Sequence, residues 1–503
     1  MSRRLPWGWG VSATPGSARA FIRSRRPTSA SLLDRYVAVF ATVLAVAVLG
    51  EPVSAAVASM AGQAEPAAVG AGAALVLLAY AGFIAVARAS GPVAVPAADA
   101  AWLVLSPLNR RGVLSRTARV LLLVAVVVGA ALGLGLLLVL GAPDQLVWRL
   151  VAAVVLGVSA TAGAMAMAVL AQVSQTWNSW LTAALVTLCA LAVVAASGQL
   201  RAALTIAGGA PMAAVAAVAS AAVIAASLPA RLAWAALDRM PARAVLAAST
   251  RVGHVATAAV TLDPGALTWL AEDNHWRARR LRSRPWPSLP APLALAWHDW
   301  RRAGRRPGRL AVILASTALP AVLAQAGAPT AAGASVLAGA MAVAATSTSG
   351  ARRDGENPSL ARLTGVGRRP ALAARALLPA LLSGAWTAAA LAGLTLTGGL
   401  PAGAWWLFGP LTAPAVAAGA LRMARRNPID HSLPVIDTPG GAIPSGPVIW
   451  ALTGVDLALL GCLPALAALV APPDAPATLL AAQAALGVAV LTGYLLRVKP
   501  ERR

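Results

Sequence analysis

The chain has 503 residues, 59% of them hydrophobic and only 12% charged, with a formal net charge of +24. Soluble domains carry about 25% charged residues, and a soluble protein of this length would bury its apolar residues in a few separate cores. In a soluble protein so basic a balance would suggest nucleic acid, but here the charges follow membrane sidedness, and no nucleic-acid partner is expected.

Residues 1–34 are polar and basic, hold no apolar run of signal-peptide length, and read as an unstructured cytoplasmic arm. Beyond them come uninterrupted apolar runs of about 20 residues, the length an α-helix needs to cross a bilayer. They lack the period-two alternation of barrel strands. The expected fold is therefore all-α, a polytopic helical membrane protein with about twelve transmembrane helices in the plasma membrane. The expected spans are 36–55, 68–87, 118–140, 150–172, 180–198, 209–228, 309–327, 330–348, 372–397, 402–420, 445–468 and 476–496.

Six spans fall in a first half (35–228), and a cytoplasmic linker loop occupies 229–290. The second half (291–503) holds an interfacial helix (291–307) and six further spans. An even number of spans per half makes the two units parallel in topology. With both termini cytoplasmic, all of the 41 Lys and Arg except Arg149 and Arg201 lie on the inner side, as the positive-inside rule predicts.

A basic phrase recurs between the second and third spans of each half, "LSPLNRRGVLSRTARVLLL" from Leu105 and "LTGVGRRPALAARALLPALL" from Leu363. Before the second half's first span stands "LPAPLALAWHDWRRAGRRPGRL". Wound at 100° per residue, it places Leu293, Ala296, Trp297, Trp300 and Ala303 on one face, with His298, Asp299, Arg302, Arg305 and Arg306 on the other. Such a helix lies in a membrane surface, although a solvated, snorkelling segment ahead of a span uses the same residues. Trp102, Trp148, Trp177, Trp180, Trp405, Trp406 and Trp450 fall at span ends, as an interfacial belt would.

Chemical motifs are scarce. A nucleotide-binding P-loop needs a lysine after its second glycine, and the single lysine is Lys499, followed by proline. No Walker A site exists, and no catalytic cluster is recognisable, so the chain is not expected to be an enzyme. His254, His275, His298 and His431 are scattered, without metal-ligand spacing, and no metal or cofactor is expected. Cys189 and Cys462 fall inside apolar runs, as small packing residues do. Asp456 stands out as an ionisable residue within a span. A carboxylate there either serves a proton or substrate path or is hydrogen-bonded near the span's inner end.

With six spans per half, a basic surface helix before the first span, an inner basic loop between the second and third, and both termini inside, the chain resembles ABC-2-type exporter permeases, two such halves being fused. The phrases "LSPLNRR", "WHDWRRAGRRPGRL" and "VIDTPGGAIPSG" are similar to those of actinobacterial multi-pass proteins described as uncharacterised or as exporter subunits. The resemblance implies a membrane subunit that works with a separate ABC ATPase. It further implies coupling loops at Arg110, Arg111 and Arg116 in one half and Arg368 and Arg369 in the other, with a connecting helix from Trp297 to Arg306. The alternatives are a proton-coupled secondary transporter using Asp456, an integral-membrane enzyme, or a non-transporting scaffold.

Overall fold

The computed structural model describes residues 67–95, 109–260, 287–427, 429–430, 432–438, 441–473 and 475–497. The expected span 36–55, the basic arm, Trp102, His275, His431, Lys499 and the Leu105–Leu108 start of the first basic phrase lie outside them. The protein is all-α and multi-pass. Among the described residues, ten helical segments are long and apolar enough to cross a membrane. The chain divides into two compact units, Met1–Gly253 and His254–Arg503.

The first unit contains α1 (Val69–Ser90), α2 (Arg110–Leu140), α3 (Leu146–Val173), α4 (Gln175–Ala196), the short α5 (Arg201–Gly208), α6 (Met212–Ala236) and the first part of α7 (Ala242–Val260). Helix α2 begins eight residues before the apolar run expected at 118, because the Asn109 carboxamide oxygen accepts the backbone N–H groups of Arg111 (2.9 Å) and Gly112 (3.5 Å). That is an N-cap, and it carries the arginines of the basic phrase into the helix. Helix α3 is central, packed against both α2 and α6.

Lipid offers helices no hydrophobic drive to associate, so they pair through small residues and interhelical hydrogen bonds. The α2–α3 crossing runs over Gly129, Gly133 and Gly157. A Cβ on Gly129 would lie 2.5 Å from the Val158 Cα, and one on Gly157 would lie 2.8 Å from the Gly133 nitrogen. Beside them the Thr161 hydroxyl donates across to the Ala125 carbonyl (2.7 Å), and the Tyr80 hydroxyl of α1 donates to Ala160 (2.9 Å).

The second unit contains α8 (Ala291–Gly304), α9 (Pro307–Ser316), α10 (Leu319–Gln325), α11 (Pro329–Thr346), α12 (Ser349–Glu356), α13 (Pro358–Arg362), α14 (Arg368–Leu396) and α15 (Phe408–Ala424). A short antiparallel hairpin follows, β1 (Val435–Thr438) with β2 (Gly441–Pro444), and then α16 (Ser445–Leu452), α17 (Val455–Gly461), α18 (Leu463–Val470) and α19 (Ala477–Arg497). Helix α15 is the most enclosed span and packs on α14, α19 and α11. Trp405 and Phe408 enter this core, ring centroids 6.0 Å apart. Trp405 is therefore a core residue, whereas Trp148, Trp180 and Trp406 are exposed as a belt requires.

The expected span 445–468 is not one helix but three short ones, α16, α17 and α18. Gly454, at φ +100°, makes the first break, a conformation closed to most side chains. Pro464, in the first turn of α18, marks the second. The backbone groups released are satisfied by side chains. Asp456 Oδ1 accepts Gly454 N–H (2.8 Å) and Leu457 N–H (2.7 Å). Gln483 of α19, fully buried, accepts Ala465 N–H (3.2 Å) and donates to the Gly461 carbonyl (2.7 Å).

The α2–α3 contact yields a prediction. Gly157→Leu should force the helices apart and lower detergent-solubilised thermal stability by about 1–3 kcal/mol or more. Gly82→Leu, whose Cβ meets nothing within 4 Å, should leave it unchanged. The two melting curves, followed by size exclusion after heating, make the comparison, and equal losses would refute the close-approach account.

Candidate functional site

On helix α8 the apolar side chains Leu293, Trp297 and Trp300 are exposed. Asp299 departs from the expected pattern. Grouped by the helical wheel with the solvated basic face, it is instead only 5% exposed. The reason lies on α14. Arg375, two turns inside that helix and 7% exposed, donates from Nη1 to Asp299 Oδ1 at 2.6 Å.

The same guanidinium grips Asp354 of α12 with a second edge, Nε to Oδ2 at 2.9 Å and Nη2 to Oδ1 at 3.2 Å. This is the two-point fork that suits arginine to carboxylates. One residue thereby ties the surface helix α8, the loop helix α12 and the span α14. Gly350 makes room for the junction, since a Cβ there would lie 2.5 Å from Arg375 Nη1 and 2.6 Å from Asp299 Oδ1. Helix α12 continues with Arg352 paired to Glu356 (3.0 Å), four residues on. A small cleft lined by Leu295, Asp354, Arg362, Arg368 and Arg425 adjoins the tie.

The basic-phrase residues Arg110, Arg111, Arg116, Arg368 and Arg369 lie in the first two turns of α2 and α14 rather than in loops. Arg110 donates to the Met240 carbonyl (2.6 Å), and Arg111 pairs with Asp238 (2.5 Å), just past the end of α6. Arg369, in the second copy of the phrase, donates to the Leu496 carbonyl at the end of α19 (2.8 Å). Arg116, Arg305 and Arg368 are exposed, while Arg302 and Arg306 are half-buried. Asp456 Oδ2 pairs with Arg422 at 3.0 Å, both side chains being about two-fifths exposed. Among the described residues of the second unit, the Arg375 tie and the Asp456–Arg422 pair share no member.

Sequence reasoning passed over Arg375, although the rule that drew attention to Asp456 applies to it equally. It lies within an expected span, and an intramembrane charge calls for a partner. Arg149 is a further buried cation, held by Asp144 (2.6 Å) and by the Gly208 (3.0 Å) and Ala210 (2.8 Å) carbonyls. It stands on the wall of a largely apolar cavity of about 260 Å³ between α2, α3 and α6. Among the described residues no group of three or more His, Cys, Asp or Glu could hold a metal ion. Cys189 is exposed on α4, whereas Cys462 is buried against α15.

A family model described as a family of unknown function (DUF6297) matches residues 63–434. The match covers well over half of the chain, and the protein belongs to this family. It takes in Asp299, Asp354 and Arg375 and ends before Asp456. No curated protein and no solved structure matches the chain.

Removing one member of a buried ionic tie strands its partner, at a cost of about 3–5 kcal/mol. Arg375→Met should therefore destabilise the protein by that order, and Arg375→Met/Asp299→Leu should recover part of the loss, because the fully buried carboxylate is then removed while Asp354, 29% exposed, can turn to water. Thermal unfolding of the purified single and double variants measures both. Additive losses would show that the pair is not coupled.

Proposed function

We propose that this multi-pass membrane protein is the permease subunit of an ABC-2-like exporter in the plasma membrane. In this reading it forms the translocation path while a separate ATPase chain hydrolyses ATP, and the subunit itself is not an enzyme. The observation that carries the reading is the Arg375 tie. A push on the polar surface at α8 or α12 is delivered through two carboxylates to the start of span α14. A rigid ionic junction suits that task, since a permease driven by a partner must turn a surface displacement into a helix displacement.

A second observation supports two equivalent, parallel halves. In each unit an arginine of the basic phrase reaches the end of that unit's last long span, Arg111 to Asp238 and Arg369 to Leu496. Those arginines hold the halves together internally. The exposed Arg305, Arg362 and Arg368 are better placed to meet an acidic partner face, where charge complementarity sets register and encounter rate. The secondary-transport alternative rests on Asp456, a carboxylate beside a helix break of the kind that coordinates substrates in transporters.

Purification in mild detergent should retain an ATPase chain, and Arg305→Glu/Arg362→Glu/Arg368→Glu should release it while the protein itself elutes unchanged. Retention of the partner by this variant would defeat the docking face. For the alternative, Asp456→Asn should abolish efflux driven by a proton gradient in vesicles, and undiminished efflux would sink it.

A further inference from the structure

Helix α15 closes with Arg422, and Arg425 and Arg426 follow at helical spacing. The three guanidinium groups line one cavity of about 390 Å³, with Trp450, Thr453 and Tyr494. Like charges so spaced repel one another. Arg422 is offset by Asp456 at 3.0 Å. Among the described residues Asp430 is the one carboxylate on the cavity wall, and its Oδ1 accepts from Ser432 N–H (2.9 Å) and Oγ (2.6 Å).

The cavity is built rather than left over. Arg426 lies flat over Trp450, its guanidinium carbon 3.2 Å from the ring centroid, and donates to the Trp450 carbonyl (3.1 Å). The indole N–H of Trp450 is fixed in turn on the Asn427 carbonyl (2.6 Å). Arg425 has its Nε buried without a hydrogen-bond partner.

Two features select the anion. The cavity stands where span α15 ends, which is headgroup depth for a membrane helix. One rim is α16, which presents Val448, Ile449 and Leu452 outward, Ile449 being 57% exposed and also part of the cavity lining. A soluble phosphate would use the arginines and have no use for that rim, whereas a lipid needs both. Basic pockets between membrane helices take anionic headgroups in this way.

We propose that this cavity binds the phosphate of an anionic phospholipid through Arg425 and Arg426, with the acyl chains lying along Ile449 and its neighbours on α16. The site is independent of the export reading and stands whether or not an ATPase partner exists.

The test is lipid retention by the delipidated full chain, read by native mass spectrometry with phosphatidylglycerol and phosphatidylcholine of matched chains. The wild type should prefer phosphatidylglycerol by roughly tenfold or more. Arg425→Gln/Arg426→Gln should reduce it to the phosphatidylcholine level, and Ile449→Glu should do the same with both arginines intact. Arg301→Gln, an exposed arginine on α8, should change nothing. Millimolar inorganic phosphate should not displace the lipid. Equal retention of the two lipids by the wild type overturns the proposal even if the arginine variant fails to fold. So does an undiminished preference in Arg425→Gln/Arg426→Gln, and displacement by inorganic phosphate would assign the cavity to a soluble ligand instead.

Discussion

A backbone N–H or carbonyl inside hydrocarbon has no water to turn to, and each one left unpaired costs several kcal/mol. Continuous helices meet this demand by themselves, so most spans need nothing from their neighbours except close contact. The stretch from Ser445 to Val470 does not meet it. Its breaks at Gly454 and between Gly461 and Leu463 release backbone groups that Asp456 and Gln483 take up. Gln483 belongs to α19, and replacing its amide with an apolar group would strand both the Ala465 N–H and the Gly461 carbonyl. The irregular segment can exist only because α19 lies beside it. The close approach of Gly454 to the α15 backbone beside Met423, where a Cβ would lie 2.8 Å from the Met423 nitrogen, fixes its other side.

The same demand governs the charges. Arg149 and Arg375 are each almost fully enclosed, and each is surrounded by acceptors: one carboxylate and two carbonyls for Arg149, two carboxylates for Arg375. Burying an ion pair contributes little net stability over an apolar pair of the same size. Its effect is directional, because few other arrangements satisfy three charged groups at once. Around Arg375 that directionality joins two elements at the polar surface to one that crosses the membrane. The first unit has a comparable tie at Arg111 and Asp238, but it is solvent-accessible on both sides and correspondingly weaker.

Much of the architecture was legible from apolar run length alone, since run length is what the bilayer selects. The spans near 68–87, 150–172, 180–198 and 330–348 all correspond to helices of nearly those bounds. Run length could not show where a helix continues past its apolar stretch. Asn109 starts α2 within the basic phrase, and Arg368 likewise opens α14, so arginines that read as loop residues are helical. Nor could it show where an apolar stretch stops being one helix, as it does at Gly454. Asp299 was misplaced for a different reason. A helical wheel ranks a position by its own helix, whereas the burial of Asp299 is decided by Arg375, 76 residues away. Trp405 was similarly drawn from the belt into the core by Phe408 and the α14 surface around Leu391 and Leu394.

These pieces meet at Arg425. It lines the cleft that holds Asp354 and Arg368, and it also lines the cavity that holds Arg422, Arg426 and Trp450. Helix α15, from which it projects, is the best-enclosed span and packs along α14, the helix that carries Arg375. Packed interiors deform little and transmit displacement. A shift of α14 through its ionic tie would therefore be felt by α15 and by the three arginines at its end. Conversely, an anion held by those arginines would bias where α15, and through it α14, comes to rest. Two sites that bias one element are coupled, and the coupling is reciprocal. On the two proposals taken together, occupancy of the cavity beside Arg425 and contact at α8 or α12 would act on the same pair of spans.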